Sequence, residues 1–312
     1  MTSLNAGLSI SRGRSPAVLA DITTAESHGV DAVWSGGGGA MADTLTIFAA
    51  AALQTSTVAL GTSIMPTYLR HPVVMASEAL AIEGLAPGRL RLGIGPSHVP
   101  EIEGNFGIPM GKPLHHLREY LTILRGLLWE GGIDFDGEYL HAHHALAPDT
   151  APPKTPLLIS ALRKNAFRLA GEASDGAITW VCPVQYLVST ALPAMQAGAD
   201  TAGRPRPPLV AHVPVAVSTD RAAARDAVRA TFPVYPRLPF YQGMFADAGF
   251  PVTSDQTMTD DLVDNLAVSG TPEQIRRRLD DIRSEGIDKL MVSQVVVHDG
   301  ASELMSLYEI LT

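Results

Sequence analysis

The feature that most constrains how this chain can fold is alternation. Short apolar runs and longer helix-like stretches follow one another from end to end, with turn residues between them. Strands are predicted at 4–10, 32–34, 58–64, 90–95, 157–160, 177–180, 209–217 and 289–297. Helices are predicted to open at Ser15-Pro16 and close at His28-Gly29, then to span 42–54, 72–85, 114–130, 165–173, 184–200 and 221–232. Two more follow, one capped by Thr271-Pro272-Glu273 and reaching about 284, the other starting near 301. Strands joined through helices pair in parallel. A count of eight selects a (β/α)8 TIM barrel over a doubly wound open sheet, and 312 residues suit one such domain spanning 1–312. The segment 233–264 is too long for an ordinary connection. Its Phe240, Tyr241, Met244, Phe245 and Phe250 predict a lid insertion that packs on something.

Composition narrows the partners. Hydrophobic residues make up 46% of the chain, enough for a large core. The formal net charge of −9 argues against nucleic acid and anionic lipid as partners. One cysteine, Cys182, excludes an intramolecular disulfide and a Cys-rich zinc site. The start, MTSLNAGLSIS, has no basic region ahead of an apolar stretch, and the longest apolar runs fall far short of the ~20 residues of a membrane helix. A soluble, cytoplasmic protein is expected.

In a barrel the site is built at the C-terminal ends of the strands. Those ends read Ser9-Ile10-Ser11, Trp34-Ser35-Gly36-Gly37, Thr62-Ser63-Ile64-Met65, Gly93-Ile94-Gly95-Pro96-Ser97-His98, Ser160-Ala161-Leu162-Arg163-Lys164 and Thr179-Trp180-Val181-Cys182. They are rich in small and hydroxylated residues and poor in carboxylates and paired histidines. That suits a flat, hydrogen-bonding ring lying close to backbone better than a metal; the same residues would also serve simply as tight turns. His141-Ala142-His143-His144 has the look of a metal tract, but it lies in a Pro-rich connection without a carboxylate partner, and no metal is expected there. Trp34 and Trp180 would either border the pocket or fill the core, and Arg70 would meet an anionic tail or form a salt bridge.

Four motifs occur in order: Gly61-Thr62-Ser63-Ile64 with Arg70-His71-Pro72; Gly88-Arg89-Leu90-Arg91-Leu92-Gly93-Ile94-Gly95; Arg118-Glu119-Tyr120 with Leu124-Arg125-Gly126-Leu127-Leu128; and Leu169-Ala170-Gly171-Glu172 with Asp175-Gly176. Together they resemble the bacterial luciferase-like family, and within it the branch of coenzyme F420-dependent oxidoreductases similar to methylenetetrahydromethanopterin reductase. The resemblance runs from about residue 25 to 281.

That resemblance implies a hydride-transferring enzyme using F420, with an FMN-dependent monooxygenase as the alternative. It implies a bulge at the end of the third strand with a non-prolyl cis peptide bond at Ser63–Ile64 backing the ring. Ser35, Thr62, Ser63, Ile64, Gly95, Pro96, Ser97 and His98 would then contact the cofactor. Ser160, Ala161, Leu162, Arg163 and Lys164 would hold its phosphate at a helix start, although Leu162 and Arg163 replace the glycines common there. His98 is the candidate for proton handling, with Glu101 or Glu103 as alternatives. Many relatives place an Asp-His or Glu-His pair after the second strand. This chain has Gly36, Gly37, Gly38 and Gly39, which disfavours glucose 6-phosphate-type dehydrogenation and leaves either room for a bulky substrate or a loose loop. A non-catalytic ligand-binding barrel and a metal-dependent hydrolase are the readings from other classes. A small-molecule substrate is expected, as is a homodimer through the Ala-rich helices 42–54 and 73–85.

Overall fold

A computed structural model describes residues 5–10 and 13–312. Eight of the predicted runs form strands: β1 (Ala6–Ser9), β2 (Ala32–Ser35), β3 (Ala59–Thr62), β4 (Leu90–Gly95), β5 (Leu157–Ser160), β6 (Gly176–Ile178), β7 (Leu209–Ala216) and β8 (Lys289–Gln294). Each pairs in parallel with its neighbours, β8 pairs with β1, and β6 pairs with β7, so the sheet closes. This is the (β/α)8 barrel expected from the alternation. Two positions of the predicted first strand edge, Leu4 and Ser11, lie outside the described residues.

The floor of the barrel explains several glycines. Trp34 points inward from β2 and is 4% exposed. A Cβ on Gly7 would lie 2.7 Å from its indole nitrogen, and one on Gly61 would lie 2.3 Å from its ring. A third inward position, Gly93, faces Ile178 in the same way, with 2.4 Å left for a Cβ. One large indole therefore occupies space that its neighbours give up. It clusters with Leu158, Ile178, Val210 and Met291, and Ile64 and Trp180 pack on top. So Trp34 is core, and open space begins above it.

The outer helices follow the start signals in the sequence. Pro72–Leu85 begins with its proline after His71, and Pro272–Ser284 carries a capping box. The reciprocal partner in that box is Gln274, while the Thr271 hydroxyl donates to Glu273 at 2.8 Å. Helices Lys164–Ala173 and Leu192–Thr201 meet at two glycines. A Cβ on Gly171 would be 1.9 Å from the Met195 carbonyl oxygen, and one on Gly198 would be 2.0 Å from that of Arg168. The Gly171 of the motif is thus a close-packing residue.

Two segments are more regular than the sequence suggested. The connection before β5 holds an antiparallel hairpin, Gly132–Asp136 with His141–Ala145. Within 233–264 lie a 3-10 turn (Tyr235–Arg237), a helix (Pro239–Asp247) and the start of another (Asp260–Leu266). Pro236 and Pro239 sit in first turns, and Thr259 accepts from the Leu262 amide with Asp260 and Asp261 behind it. Arg225 binds Asp260 at 2.7 Å and Asp264 at 2.5 Å, tying this helix to Arg221–Thr231. Among the described residues no helix is long and apolar enough to cross a membrane.

Candidate functional site

Strand β3 does not run straight into its loop. Leu60 and Gly61 pair with Leu90 and Arg91, and Met65 and Pro66 pair with Ile94 and Gly95. Between them Thr62, Ser63 and Ile64 stand opposite only Leu92 and Gly93, so one extra residue bulges. Thr62 closes the gap with its side chain: its hydroxyl donates to the Gly93 carbonyl (2.7 Å) and accepts from the Gly93 amide (2.8 Å). The Ser63–Ile64 peptide bond is cis. The bulge is held from the other side by Ser63 N–H to the Ser35 carbonyl and Gly37 N–H to the Ile64 carbonyl, each 2.9 Å. The result is a ledge made of Ser63 and Ile64.

The glycine run after β2 is fitted to this ledge rather than loose. A Cβ on Gly37 would lie 2.4 Å from Met65 Sδ, and one on Gly36 would lie 3.4 Å from the Ser63 carbonyl oxygen. Gly38 and Gly39 turn with φ of +96° and +69°.

Above the Trp34 floor opens a cavity of about 1310 Å³. Ser63 and Ile64 form part of its wall, Pro96, Ser97 and His98 another, and Ser160, Ala161, Leu162 and Arg163 a third. The structure thus brings most of the expected residues to one space. It leaves five outside. Ser35 is buried behind the ledge, and Thr62 is fully buried in its clamp on Gly93. Gly95 lies under the wall, where a Cβ would come within 2.1 Å of Ser160 Oγ. The Glu101 side chain turns to Asn105 (2.6 Å) and does not line the cavity. Lys164 is exposed at the helix start, off the lining. Sequence order placed these five near the site, but strand alternation turns Ser35 and Thr62 away from the inward Trp34 and Gly61. Ser160 and Ile64 cover Gly95, a π-helical turn at Pro100–Asn105 carries Glu101 off, and Lys164 opens the next helix.

His98 is mostly buried. Burial pushes its pKa below the ordinary value, with Glu101 opposing more weakly, so the imidazole is neutral at pH 7. The ring lies 5.8 Å from that of Tyr241 on helix Pro239–Asp247. The alternative acid Glu103 is committed to the Met110 amide at 2.9 Å.

Arg163 reaches from the turn after β5 to Asp247 at 2.7 Å. It lies flat across Gly243, where a Cβ would be 2.2 Å from Nη1. Arg70 faces Asp43 at 2.7 Å and Glu78 at 3.2 Å, away from the cavity, so it is the salt-bridge reading that holds. His143 does have carboxylate partners, since the hairpin register puts Asp134 (2.5 Å) and Asp136 (3.3 Å) beside it. Even so, among the described residues no cluster of three or more His, Cys, Asp and Glu side chains could hold a metal ion.

On the wall opposite the ledge the sequence offered Trp180 as a pocket border and Tyr241 as part of a lid, but not the residues that hold them, His212 and Tyr235. Trp180 lines the cavity, stacks on His212 with ring centroids 3.7 Å apart and donates from Nε1 to the Tyr235 hydroxyl at 2.7 Å. Tyr241 donates to the Trp180 carbonyl at 3.1 Å. Lys112 and His115 stand at the rim beside Met110. The one available signal was the inward alternation of Val210 and His212 along β7, which puts an imidazole at cavity depth.

A profile of luciferase-like monooxygenases matches residues 8–289 of this chain. The chain belongs to the luciferase-like monooxygenase family. An F420-dependent glucose-6-phosphate dehydrogenase of Nakamurella multipartita is 33% identical over 230 residues, which is 69% of this chain and 68% of that one. The 5,10-methylenetetrahydromethanopterin reductase of Archaeoglobus fulgidus is 26% identical over 300 residues, 89% of each chain. Among solved structures, an F420-dependent secondary alcohol dehydrogenase in complex with an F420-acetone adduct superposes with a TM-score of 0.82 at 18% identity, covering 99% of this chain and 98% of that one. The family's barrel is therefore the barrel seen here.

Proposed function

We propose that this luciferase-like protein is a coenzyme F420-dependent oxidoreductase that moves a hydride between the deazaflavin and a small organic substrate. The observation that carries the reading is the ledge: a shelf formed by the Ser63–Ile64 bulge, opening onto a cavity of about 1310 Å³ with a cationic turn at one end. Relatives at 33–34% identity that are named F420-dependent support the choice of cofactor.

The residues present fit that group. Ser63 and Ile64 would back the ring, and Pro96, Ser97 and His98 would border it. Ala161, Leu162 and Arg163 would take the phosphate, with the unbonded N–H groups at the start of helix Lys164–Ala173 and the charge of Lys164 behind them. When bound, the deazaflavin supplies a carbon centre that accepts or gives hydride. The chain supplies position, a dry wall and a proton site. Trp180, Phe232, Tyr235 and Tyr241 close the side facing the ledge, and exclude water once substrate is in place. Helix Pro239–Asp247 carries Phe240 and Tyr241 over that side, as a lid would. His98, neutral at pH 7, takes the substrate proton during oxidation; in the reverse direction it must first pick up a proton from solvent and donates it from the imidazolium form.

Sugar dehydrogenation is not part of the proposal, because Gly36 to Gly39 occupy the place of the acid-base pair expected of such relatives. The exposed Leu53, Val74 and Leu85 on neighbouring helices support a homodimer, which light scattering of the purified protein checks.

The functional test is spectrophotometric. Under anaerobic conditions reduced F420 is mixed with panels of ketones, aldehydes and imines, and oxidised F420 with alcohols. Turnover with at least one class, falling at least about tenfold in His98→Ala, is expected. Dioxygen-dependent turnover with reduced FMN, and none with F420, overturns the proposal.

A further inference from the structure

The wall opposite the ledge contains a buried relay that the hydride-transfer reading does not use. His212 points inward from β7 and is 1% exposed. Its Nδ1 faces the backbone N–H of Val181 at 3.2 Å. An amide N–H can only donate, so Nδ1 must present its lone pair and the ring hydrogen must sit on Nε2. Nε2 lies 2.8 Å from Ser293 Oγ on β8. The imidazole therefore donates to the serine, and the serine hydrogen cannot point back. Among the described residues no other side chain or carbonyl takes that hydrogen, and Ser293 lines the cavity. The ring cannot easily swivel to reverse this order. Trp180 stacks on it at 3.7 Å and Phe232 meets its edge at 5.6 Å. Among the described residues no carboxylate or cation faces His212: its neighbours are Val181 and Trp180 in the turn after β6, Ser293 on β8, and Phe232 at the end of helix Arg221–Thr231.

We propose that His212 locks Ser293 as a hydrogen-bond donor into the cavity, so that this wall selects a ligand presenting an acceptor oxygen, of carbonyl or oxyanion type, at that point. Val181 sets the tautomer, His212 transmits it as a positioning residue, and Ser293 is the contact. The relay is fixed by the barrel alone and stands whichever cofactor the enzyme uses. It makes Ser293 a specificity determinant. A substrate group that can only donate leaves two hydrogens facing each other there, whereas a carbonyl oxygen accepts from Ser293 without rearrangement.

The test needs no knowledge of the natural substrate. Protein labelled with 15N-histidine is examined by long-range 1H–15N correlation, with the His212 signals assigned by their loss in His212→Gln. The proposal expects a neutral ring protonated on Nε2, unchanged from pH 5 to 8. A ring protonated on Nδ1, or one that titrates in that range, overturns it. Acetone, which accepts but does not donate through its oxygen, is then titrated in as the probe. A saturable shift of the His212 Hε2 signal is expected in the wild type. The shift should be at least about fivefold weaker in Ser293→Ala and in His212→Phe, the second read on the Trp180 indole signal because the ring nitrogen is gone. His212→Phe keeps an aromatic ring against Trp180, so it guards against a folding artefact in the serine variant. No saturable response in the wild type, or an equal response in Ser293→Ala, contradicts the assignment.

Discussion

Thr62 Oγ1 exchanges both of its hydrogen bonds with one residue, donating to the Gly93 carbonyl at 2.7 Å and accepting from the Gly93 amide at 2.8 Å. Gly93 has no Cβ to block this approach, since one would stand 2.0 Å from the Thr62 carbonyl oxygen. The pair replaces the ladder bonds that the bulge in β3 forfeits, and it does so with 0% of Thr62 exposed. Thr62→Val keeps the shape and removes both bonds, leaving a buried N–H and a buried C=O unpaired. A loss of about 3 kcal/mol in denaturant unfolding is expected. A change within about 0.5 kcal/mol would mean that the bulge is held by its other contacts.

The glycines of the helix pair make an opposed prediction. Gly171→Ala gains helix propensity but drives a Cβ into the Met195 carbonyl oxygen, a backbone atom that cannot step aside. Overpacking wins, and a net loss of about 2 kcal/mol is expected. Gly84→Ala, in the helix Pro72–Leu85 with nothing within 4 Å of its new methyl, should gain roughly 0.5 kcal/mol. Thermal and denaturant melts of the two variants give the comparison.

Burial holds the His212 pKa down at about 3, against an ordinary value of 6.5. Between these values the unfolded chain binds a proton that the folded chain refuses. Stability therefore rises with pH through this window and is complete above 6.5. From pH 6.5 down to 5 the loss from this one group is about 2 kcal/mol, at ~1.4 kcal/mol per unit. His98, depressed in the same direction, adds to it. His212→Gln should flatten the slope measured by unfolding at pH 7, 6 and 5, and an unchanged slope would remove His212 as its source.

Asp247 competes for Arg163, the cation proposed to meet the cofactor phosphate. Asp247→Asn should strengthen F420 binding by about threefold while leaving a phosphate-free deazaflavin unaffected. Arg163→Ala should weaken only the phosphate-bearing ligand. Fluorescence titration of both ligands checks both variants.

The barrel was legible because its signal is repeated eight times, and an error of a residue or two at any strand end leaves the count intact. The Pro72–Leu85 helix and the β4 and β5 strands lie where their punctuation put them. What was not legible depends on direction rather than position. Thr62 and Ser63 are adjacent, yet one faces a clamp inside the sheet and the other faces the cavity. Trp34 and Trp180 both stand near the C-terminal ends of strands, yet only glycines at positions 7 and 61 make the first a core residue. His212 was invisible as a site residue because its role depends on Val181 and Ser293, 31 and 81 residues away in sequence. The hairpin at 132–145 escaped because five-residue strands with alternating charge look like polar connection.

The central claim is that the ledge and the turn after β5 hold a phosphate-bearing deazaflavin. Its most direct test is equilibrium titration of the purified, cofactor-stripped protein with F420 and, in parallel, with FMN, followed by ligand fluorescence. Saturable one-site binding of F420, at least about tenfold tighter than FMN and weakened in Arg163→Ala, is the predicted result. Tighter binding of FMN, or no saturable binding of F420, would contradict it.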